Sequence, residues 1–333
     1  MEKSQKPRVL VTHWVHHEVL AYLESTCEVI ANETRATWPR DTVLDLAADC
    51  DAMMAFMPDR VDEAFLRACP RLRIIAAALK GPDNFDLQAC TRHGVWFTVV
   101  PDLLSVPTAE LAIGLMIALG RNFLAGDAHV RSGRFEGWRP RLYGAGLNDR
   151  TLGIIGLGAV GRAIAERAAA FDMKIVYCDP HAAAGGLEHV DLEQLLRRSD
   201  YVMPLAHLTR ETHHMIDVTA LARMKRGARL INVGRGGLVD EAAVAASIAS
   251  GQLAGYAADV FEMEDWALEA RPRSVHRSLL EDREHTFFTP HLGSAVEEAR
   301  LAIATEAAEN ILDALSGQRP RGAMNEVAEN IAA

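Results

Sequence analysis

A chain of 333 residues, 49% hydrophobic and 24% charged, is long enough for two domains that each bury a core. Its formal net charge of −10 argues against nucleic acid and anionic membrane as partners, since both need a basic surface. Five cysteines without a C-x-x-C spacing fit reduced thiols in a cytoplasm better than a disulfide framework; the N-terminal MEKSQKPRVLVTHWVHHE lacks the apolar run of a signal peptide, and no stretch is apolar for long enough to span a bilayer.

The first hundred residues alternate strand and helix patterns. RVLVTHWV (8–15) reads as a strand, HHEVLAYLESTC as a helix, CEVIAN as a strand and TVLDLAADC as a helix. AMMAFM (52–57), LRIIAAAL (72–79) and VWFTVVP (95–101) are further strands, with VDEAFLRACP and another short helix between them. One long helical region is predicted over 108–135, followed by an aromatic, glycine-rich loop, EGWRPRLYGAGL. From residue 151 a second alternating series begins, with strands in TLGIIGLG, MKIVYCD, YVMPLAH, RLINVGR, AGYAADVF and TFFTPHLG. A closing helix over 295–315 repeats apolar residues at helical spacing. Strands alternating with helices predict an α/β protein with parallel, doubly wound sheets.

The stretch TLGIIGLGAVGRAIAERAAAFDMKIVYCD places Gly156, Gly158 and Gly161 in the G-x-G-x-x-G order, after an apolar strand and before an amphipathic helix. The first glycine permits the tight turn, the second lets backbone approach a pyrophosphate, and the third lets helix and sheet pack closely. The helix N-terminus adds N–H groups and partial positive charge. Asp179 ends the next strand, where a carboxylate accepts the ribose hydroxyls of NAD and repels the 2′-phosphate of NADP; Pro180 and His181 follow, with no adjacent cation. The expected cofactor is NAD.

Three residues stand at predicted strand ends further on: Arg235 in INVGRGGLVDE, Glu264 in ADVFEMEDW and His291 in TPHLGS. Ligands bind at such ends in these sheets. A histidine oriented by a carboxylate is a general acid or base near neutral pH. An arginine on a glycine-flanked turn reaches an oxyanion with a two-pronged hydrogen bond.

The fingerprint, its aspartate, and Arg, Glu and His in that chain order resemble the D-2-hydroxyacid dehydrogenases over nearly the whole chain. The resemblance implies a Rossmann NAD-binding domain (105–293) inserted in a flavodoxin-like substrate domain (1–104 and 294–333). It implies that Arg235 holds the substrate anion, His291 is the base and Glu264 orients it. Besides the fingerprint residues Gly156, Gly158, Ala159, Val160 and Gly161 with Asp179 and Pro180, it assigns cofactor contacts to Thr108 and Leu208, to Val233, Gly234 and Arg235, and to Asp259, His291 and Gly293.

Lys80, where the strand LRIIAAAL breaks into GPDNFD, is unusual for that family, whose matching turn binds a carboxylate through backbone N–H groups. Within it, the stretches MMAFMPDRVD, ALKG-DNFD, VPDLLSVPTAELAIGL, VRSGRFEGW, GYAADVFEMEDW and FTPHLGSAV resemble the phosphite (phosphonate) dehydrogenases in particular. This implies that Met57, Lys80, Gly81, Arg235, Ser294 and Arg300 line a site for phosphite. Trp138 and Tyr143 would close that site or serve the partner's in a homodimer. The departures are Pro82 in place of an aromatic residue, a short 180–190 segment, and Asp179 in place of glutamate. Phosphite carries up to two negative charges, so a second cation suits it, whereas a carboxylate needs one. The alternatives are a D-2-hydroxyacid dehydrogenase with an unusual lysine and a non-catalytic NAD-sensing protein. His13, His16 and His17 form the best histidine cluster, but no Cys or carboxylate set completes a metal site, and none is expected.

Overall fold

The computed structural model describes residues 6–182, 185–265, 268 and 270–327. Ala183, Ala184 and Trp266, within stretches quoted above, lie outside them. The chain forms two units, one from residues 1–104 with 296–333 and the other from residues 105–295. The second junction falls just after Ser294, which therefore belongs to the second unit.

The first unit holds five parallel strands: β1 (Arg8–Val11), β2 (Glu28–Ala31), β3 (Ala52–Ala55), β4 (Ile74–Ala77) and β5 (Trp96–Thr98). Their order is β2-β1-β3-β4-β5, the flavodoxin-like arrangement. Every residue of β3 and β4 is buried, as expected for central parallel strands covered on both faces. Alternate residues of β1 divide between the two faces. Leu10 joins Val43, Phe65, Leu66 and Cys90 from three helices on one side. Val9 and Val11 join Val19, Leu23 and Ile303 from helices His17–Glu24 and Glu297–Leu315 on the other. The strand pattern ends sooner than its apolar letters suggest. At Thr12 and His13 the chain leaves the sheet, and Thr12 donates its hydroxyl to Asp59.

The second unit holds seven parallel strands: β6 (Thr151–Ile155), β7 (Lys174–Cys178), β8 (Glu188–His189), β9 (Tyr201–Pro204), β10 (Ala228–Asn232), β11 (Leu253–Ala258) and β12 (Thr286–Phe288). The order β12-β11-β10-β9-β6-β7-β8 reverses direction between β6 and β9, the Rossmann switch point. Six of these strands match the predicted series. β8 is only two residues long and offers no periodicity to read.

The predicted single helix over 108–135 is two helices, Ser105–Gly120 and Phe123–Arg131. Gly120 ends the first, where a Cβ would lie 2.9 Å from the Ala145 carbonyl oxygen, and Asn122 follows in the left-handed region at φ 53°. The first helix buries ten of its residues, the second none. Among the described residues no single helix is long and apolar enough to cross a membrane.

Candidate active site

The cofactor fingerprint sits at the C-terminal end of β6. Gly156 has φ +96°, a conformation that any side chain would strain, and its N–H donates to the Cys178 carbonyl (2.9 Å). A Cβ on Gly161 would lie 2.6 Å from the Gly156 carbonyl oxygen, so the helix Ala159–Ala169 can approach only as glycine allows. At Gly158 a Cβ would meet nothing within 4 Å, and no side chain caps the helix there. Open space beside uncapped N–H groups at Ala159 and Val160 fits a pyrophosphate. The group expected from the sequence therefore fits the residues present.

Asp179 follows β7. Its Oδ2 accepts from the Leu157 N–H (2.7 Å), and its Oδ1 accepts from the N–H groups of His181 (2.8 Å) and Ala182 (2.9 Å). The carboxylate thus fastens the glycine-rich turn to its own loop, a task the sequence did not reveal. Burial pushes its pKa up, but these three N–H groups outweigh that and hold it below the usual carboxylate range. It stays ionised, the state that repels a 2′-phosphate. Asp179→Ala is expected to raise the NADP/NAD ratio of kcat/KM by roughly tenfold or more. Unchanged selectivity in parallel assays with both cofactors would refute that role.

The same sheet edge carries the other expected residues: Leu208 after β9, Val233, Gly234 and Arg235 after β10, Asp259 and Glu264 after β11, and His291, Gly293 and Ser294 after β12. Thr108 joins them from the helix Ser105–Gly120, since a Cβ on Gly293 would lie 3.2 Å from its hydroxyl.

Arg235 rides on a turn stapled by Asn232, the fully buried last residue of β10. Asn232 accepts from the Gly234 N–H (3.1 Å) and donates to the Arg235 carbonyl (2.9 Å). The Arg235 Nη1 donates to the Gly234 carbonyl (2.9 Å). The sequence reading missed Asn232. The signal was present, because an amide ending an otherwise apolar strand needs buried partners.

His291 has φ 55°, a left-handed conformation that costs a non-glycine residue on the order of 1 kcal/mol. Asp259 supplies the restraint that holds it. The Asp259 carbonyl accepts from the His291 N–H (2.8 Å). Its carboxylate, almost wholly buried, accepts from the Thr289 hydroxyl (2.6 Å) and from the N–H groups of Leu292 (2.6 Å) and Gly293 (2.8 Å). Burial pushes this carboxyl above its usual range against those donors. The sequence proposed Asp259 as a cofactor contact; the structure shows both its oxygens engaged by the histidine loop.

Glu264 accepts from the Phe261 N–H through Oε1 (2.8 Å) and meets His291 Nδ1 through Oε2 (2.5 Å). A carboxylate accepts only, so Nδ1 carries the proton in the neutral ring and Nε2 offers its lone pair. This is an oriented general base.

In the first unit, the expected residues gather at the C-terminal ends of β3 and β4 and at the start of helix Glu297–Leu315. Met57 is half-buried, packs against the core face, and accepts at its carbonyl from Asn84 Nδ2 (2.9 Å). Lys80 is half-buried and Gly81 buried, at the strand's exit. Arg300 Nη1 donates to the Ala78 carbonyl (3.4 Å), two residues before Lys80, and its guanidinium lies 5.8 Å from the Phe56 ring centre. Trp138 and Tyr143 are 78% and 76% exposed in this single chain.

Of two titratable neighbours, the sequence reading did not single out Asp59 and named His13 only within a histidine cluster. His13 is tilted against Phe56, and burial, then the Arg300 charge, lowers its pKa to about 4, so it is neutral near pH 7. Asp59 Oδ2 accepts from the Thr12 hydroxyl (2.5 Å) and the Phe56 N–H (2.8 Å), yet burial dominates and pushes its pKa up to about 6. An acid with a higher pKa folded than unfolded contributes most stability below its unfolded value of 3.8, and loses that contribution as pH rises to about 6. Asp59→Asn, which can keep both bonds through its amide oxygen, should flatten this dependence and raise Tm by several degrees at about pH 8 but not at about pH 4. Thermal melts at both values check this; a lower Tm at the higher pH would contradict it. Among the described residues no group of three or more His, Cys, Asp or Glu could hold a metal ion.

A seven-stranded Rossmann sheet, a glycine-rich turn with its aspartate, and an Arg–Glu–His set on one edge define an NAD-dependent dehydrogenase. The NAD binding domain of the D-isomer specific 2-hydroxyacid dehydrogenases matches residues 113–293, more than half of the chain. The chain is 36% identical over 330 residues to the glyoxylate reductase of Thermococcus litoralis, covering 96% of this chain and 97% of that one. It is 35% identical over 330 residues to the glyoxylate reductase of Pyrococcus furiosus, covering 96% of each. A crystal structure of a Thermus thermophilus protein superimposes with a TM-score of 0.89 at 33% identity, over 96% of this chain and all of that one. The protein belongs to the D-isomer specific 2-hydroxyacid dehydrogenase family, and NAD is its cofactor.

Proposed function

We propose that this enzyme oxidises phosphite to phosphate, with NAD as the electron acceptor. The observation that carries the proposal is a pair of cations on one edge of the first unit. Lys80 leaves β4 two residues after the carbonyl that Arg300 holds, and neither side chain is fully exposed. Burial lowers the Arg300 pKa, a cost that an anionic ligand offsets. Two positive charges at one edge suit a tetrahedral dianion better than a carboxylate monoanion. The stretches that resemble the phosphite dehydrogenases, which include residues outside the generic dehydrogenase motifs, support the same reading.

The reaction joins phosphite and water to give phosphate, a hydride and a proton. The bound nicotinamide supplies the hydride acceptor. His291 takes the proton from water at Nε2 as the oxygen bonds to phosphorus, and Glu264 keeps the ring turned for that task. The resemblance assigns Lys80, Arg300 and Arg235 to the anion, whose charge such cations offset against the incoming oxygen.

A second reading is reduction of a small 2-oxo acid such as glyoxylate, favoured by the names of the curated relatives. There His291, protonated, would deliver a proton to the forming hydroxyl, and Arg235 would hold the carboxylate. One spectrophotometric comparison separates the two. NADH formation with phosphite, and little oxidation of NADH with glyoxylate, is the expected result. NADH consumption with glyoxylate, with phosphite inert, establishes the second reading. Turnover of neither leaves a binding protein.

The helix Phe123–Arg131 and the loop after it expose Phe123, Val130, Phe135, Trp138 and Tyr143. A helix without a buried face gains no tertiary stabilisation on its own. This supports the homodimer implied by the resemblance, with this arm covered by the second copy. Sedimentation equilibrium is expected to give twice the mass of 36.4 kDa; a monomer at micromolar concentration would refute it.

A further inference from the structure

We propose that Glu241 and Glu262 form a joint that positions the Arg235 and Glu264 turns, making both glutamates positioning residues for the reaction. The proposal rests on the family assignment of Arg235, Glu264 and His291, not on the identity of the substrate.

Glu241 opens the helix Glu241–Ala249, which follows the Arg235 turn, and is only 3% exposed. Glu262 opens the short turn Glu262–Glu264 that carries the histidine's partner. The two residues clasp each other reciprocally. The Glu241 N–H donates to Glu262 Oε1 (2.9 Å), and the Glu262 N–H donates to Glu241 Oε1 (3.0 Å). Each keeps a second oxygen for another segment. Glu241 Oε2 accepts from the His276 N–H (2.8 Å), and Glu262 Oε2 pairs with His214 Nε2 (2.8 Å). The His214 N–H in turn donates to the Gly237 carbonyl (2.7 Å), so the chain of contacts returns to the arginine turn.

The two turns also touch directly. A Cβ on Gly236 would fall 2.0 Å from the Phe261 carbonyl carbon and oxygen, so only glycine lets the backbones meet there. Packing alone leaves such a contact free to slide. Charge-assisted bonds to directed lone pairs fix it in one register. A buried carboxylate is costly unless its acceptors are used, and both Glu241 oxygens accept from backbone N–H groups. Burial pushes its pKa up against those donors. The joint lies two residues from Glu264, and misplacing a catalytic group by about 1 Å can cost about a hundredfold in rate.

The test is a double-mutant cycle on the NAD-loaded enzyme, using whichever of phosphite or glyoxylate the wild type turns over. Glu241→Gln keeps shape and volume but sets an amide N–H against a backbone N–H. It is expected to lower kcat about tenfold or more while the Kd for NAD, read by fluorescence quenching, changes less than about threefold. In a Glu264→Gln background the same substitution should cost little further, because its effect passes through Glu264. Additive losses would overturn the proposal, as would an unchanged kcat in the single variant. If Glu241→Gln does not fold by circular dichroism, Glu262→Gln, on the other half of the joint, carries the same cycle with the same two outcomes. A wild type inactive on phosphite but active on glyoxylate would sink the phosphite reading and leave this test intact.

Discussion

His291→Ala is expected to reduce kcat/KM by about a thousandfold or more, with the Kd for NAD changed by no more than a few-fold. The reasoning starts from backbone. A histidine in the left-handed region is unfavourable, and the protein holds it there with the Asp259 carbonyl and with three donors fixed on the Asp259 carboxylate. The Glu264 carboxylate then engages Nδ1 at 2.5 Å, which leaves Nε2 as the lone pair for the substrate's proton. Alanine removes the base and leaves the loop's anchors in place, so folding and cofactor binding should survive. Glu264→Gln keeps a hydrogen-bonding partner but loses its charge, and should cost less, about tenfold to a hundredfold. Stopped-flow or steady-state kinetics with fluorescence titration of NAD checks both. Substantial activity in His291→Ala would place the base elsewhere.

Lys80→Ala is expected to raise the KM for phosphite about a hundredfold and to leave the Kd for NAD nearly unchanged. The lysine stands three residues past a fully buried strand, before a turn fixed by the Phe85 N–H bond to the Pro82 carbonyl (2.9 Å) and by the Asn84 bond to Met57. Arg300 engages the same strand end and carries a positive charge weakly solvated by water. Removing one of two cations from a site for a dianion loses ground-state binding, so the effect falls on KM more than on kcat. Lys80→Arg should recover part of the loss. Unchanged saturation by phosphite in Lys80→Ala would remove the lysine from substrate binding and with it the argument from charge.

The parts of this protein that were legible from its sequence are those governed by local rules. The glycine-rich turn, its helix and the aspartate at the next strand end follow from steric and dipole requirements written in one continuous stretch of chain. Arg235, Glu264 and His291 were legible because each stands at a strand end, and the structure puts all three on one edge of the seven-stranded sheet. What escaped depends on contacts between distant segments. Asn232, signalled only by its place at the end of an apolar strand, and Asp259, read only as a cofactor contact, staple loops that come together on folding. The clasp of Glu241 and Glu262 joins positions 21 residues apart, and neither residue has any local signature. Asp179 was read for the cofactor alone, whereas its oxygens also fasten the glycine turn. The break at Gly120–Asn122 was hidden by a continuous helical pattern, although Gly120 meets the loop at Ala145 and Asn122 adopts the left-handed region.

In the proposed reaction a hydride leaves phosphorus while an oxygen from water, deprotonated by His291, takes its place. Deuterated phosphite and NAD, incubated with the enzyme in water enriched in heavy oxygen, test it by mass spectrometry of both products. Deuterium in the reduced nicotinamide and one heavy oxygen in the phosphate are the predicted result. Neither label transferred, in an enzyme that still oxidises NADH with glyoxylate, would contradict it.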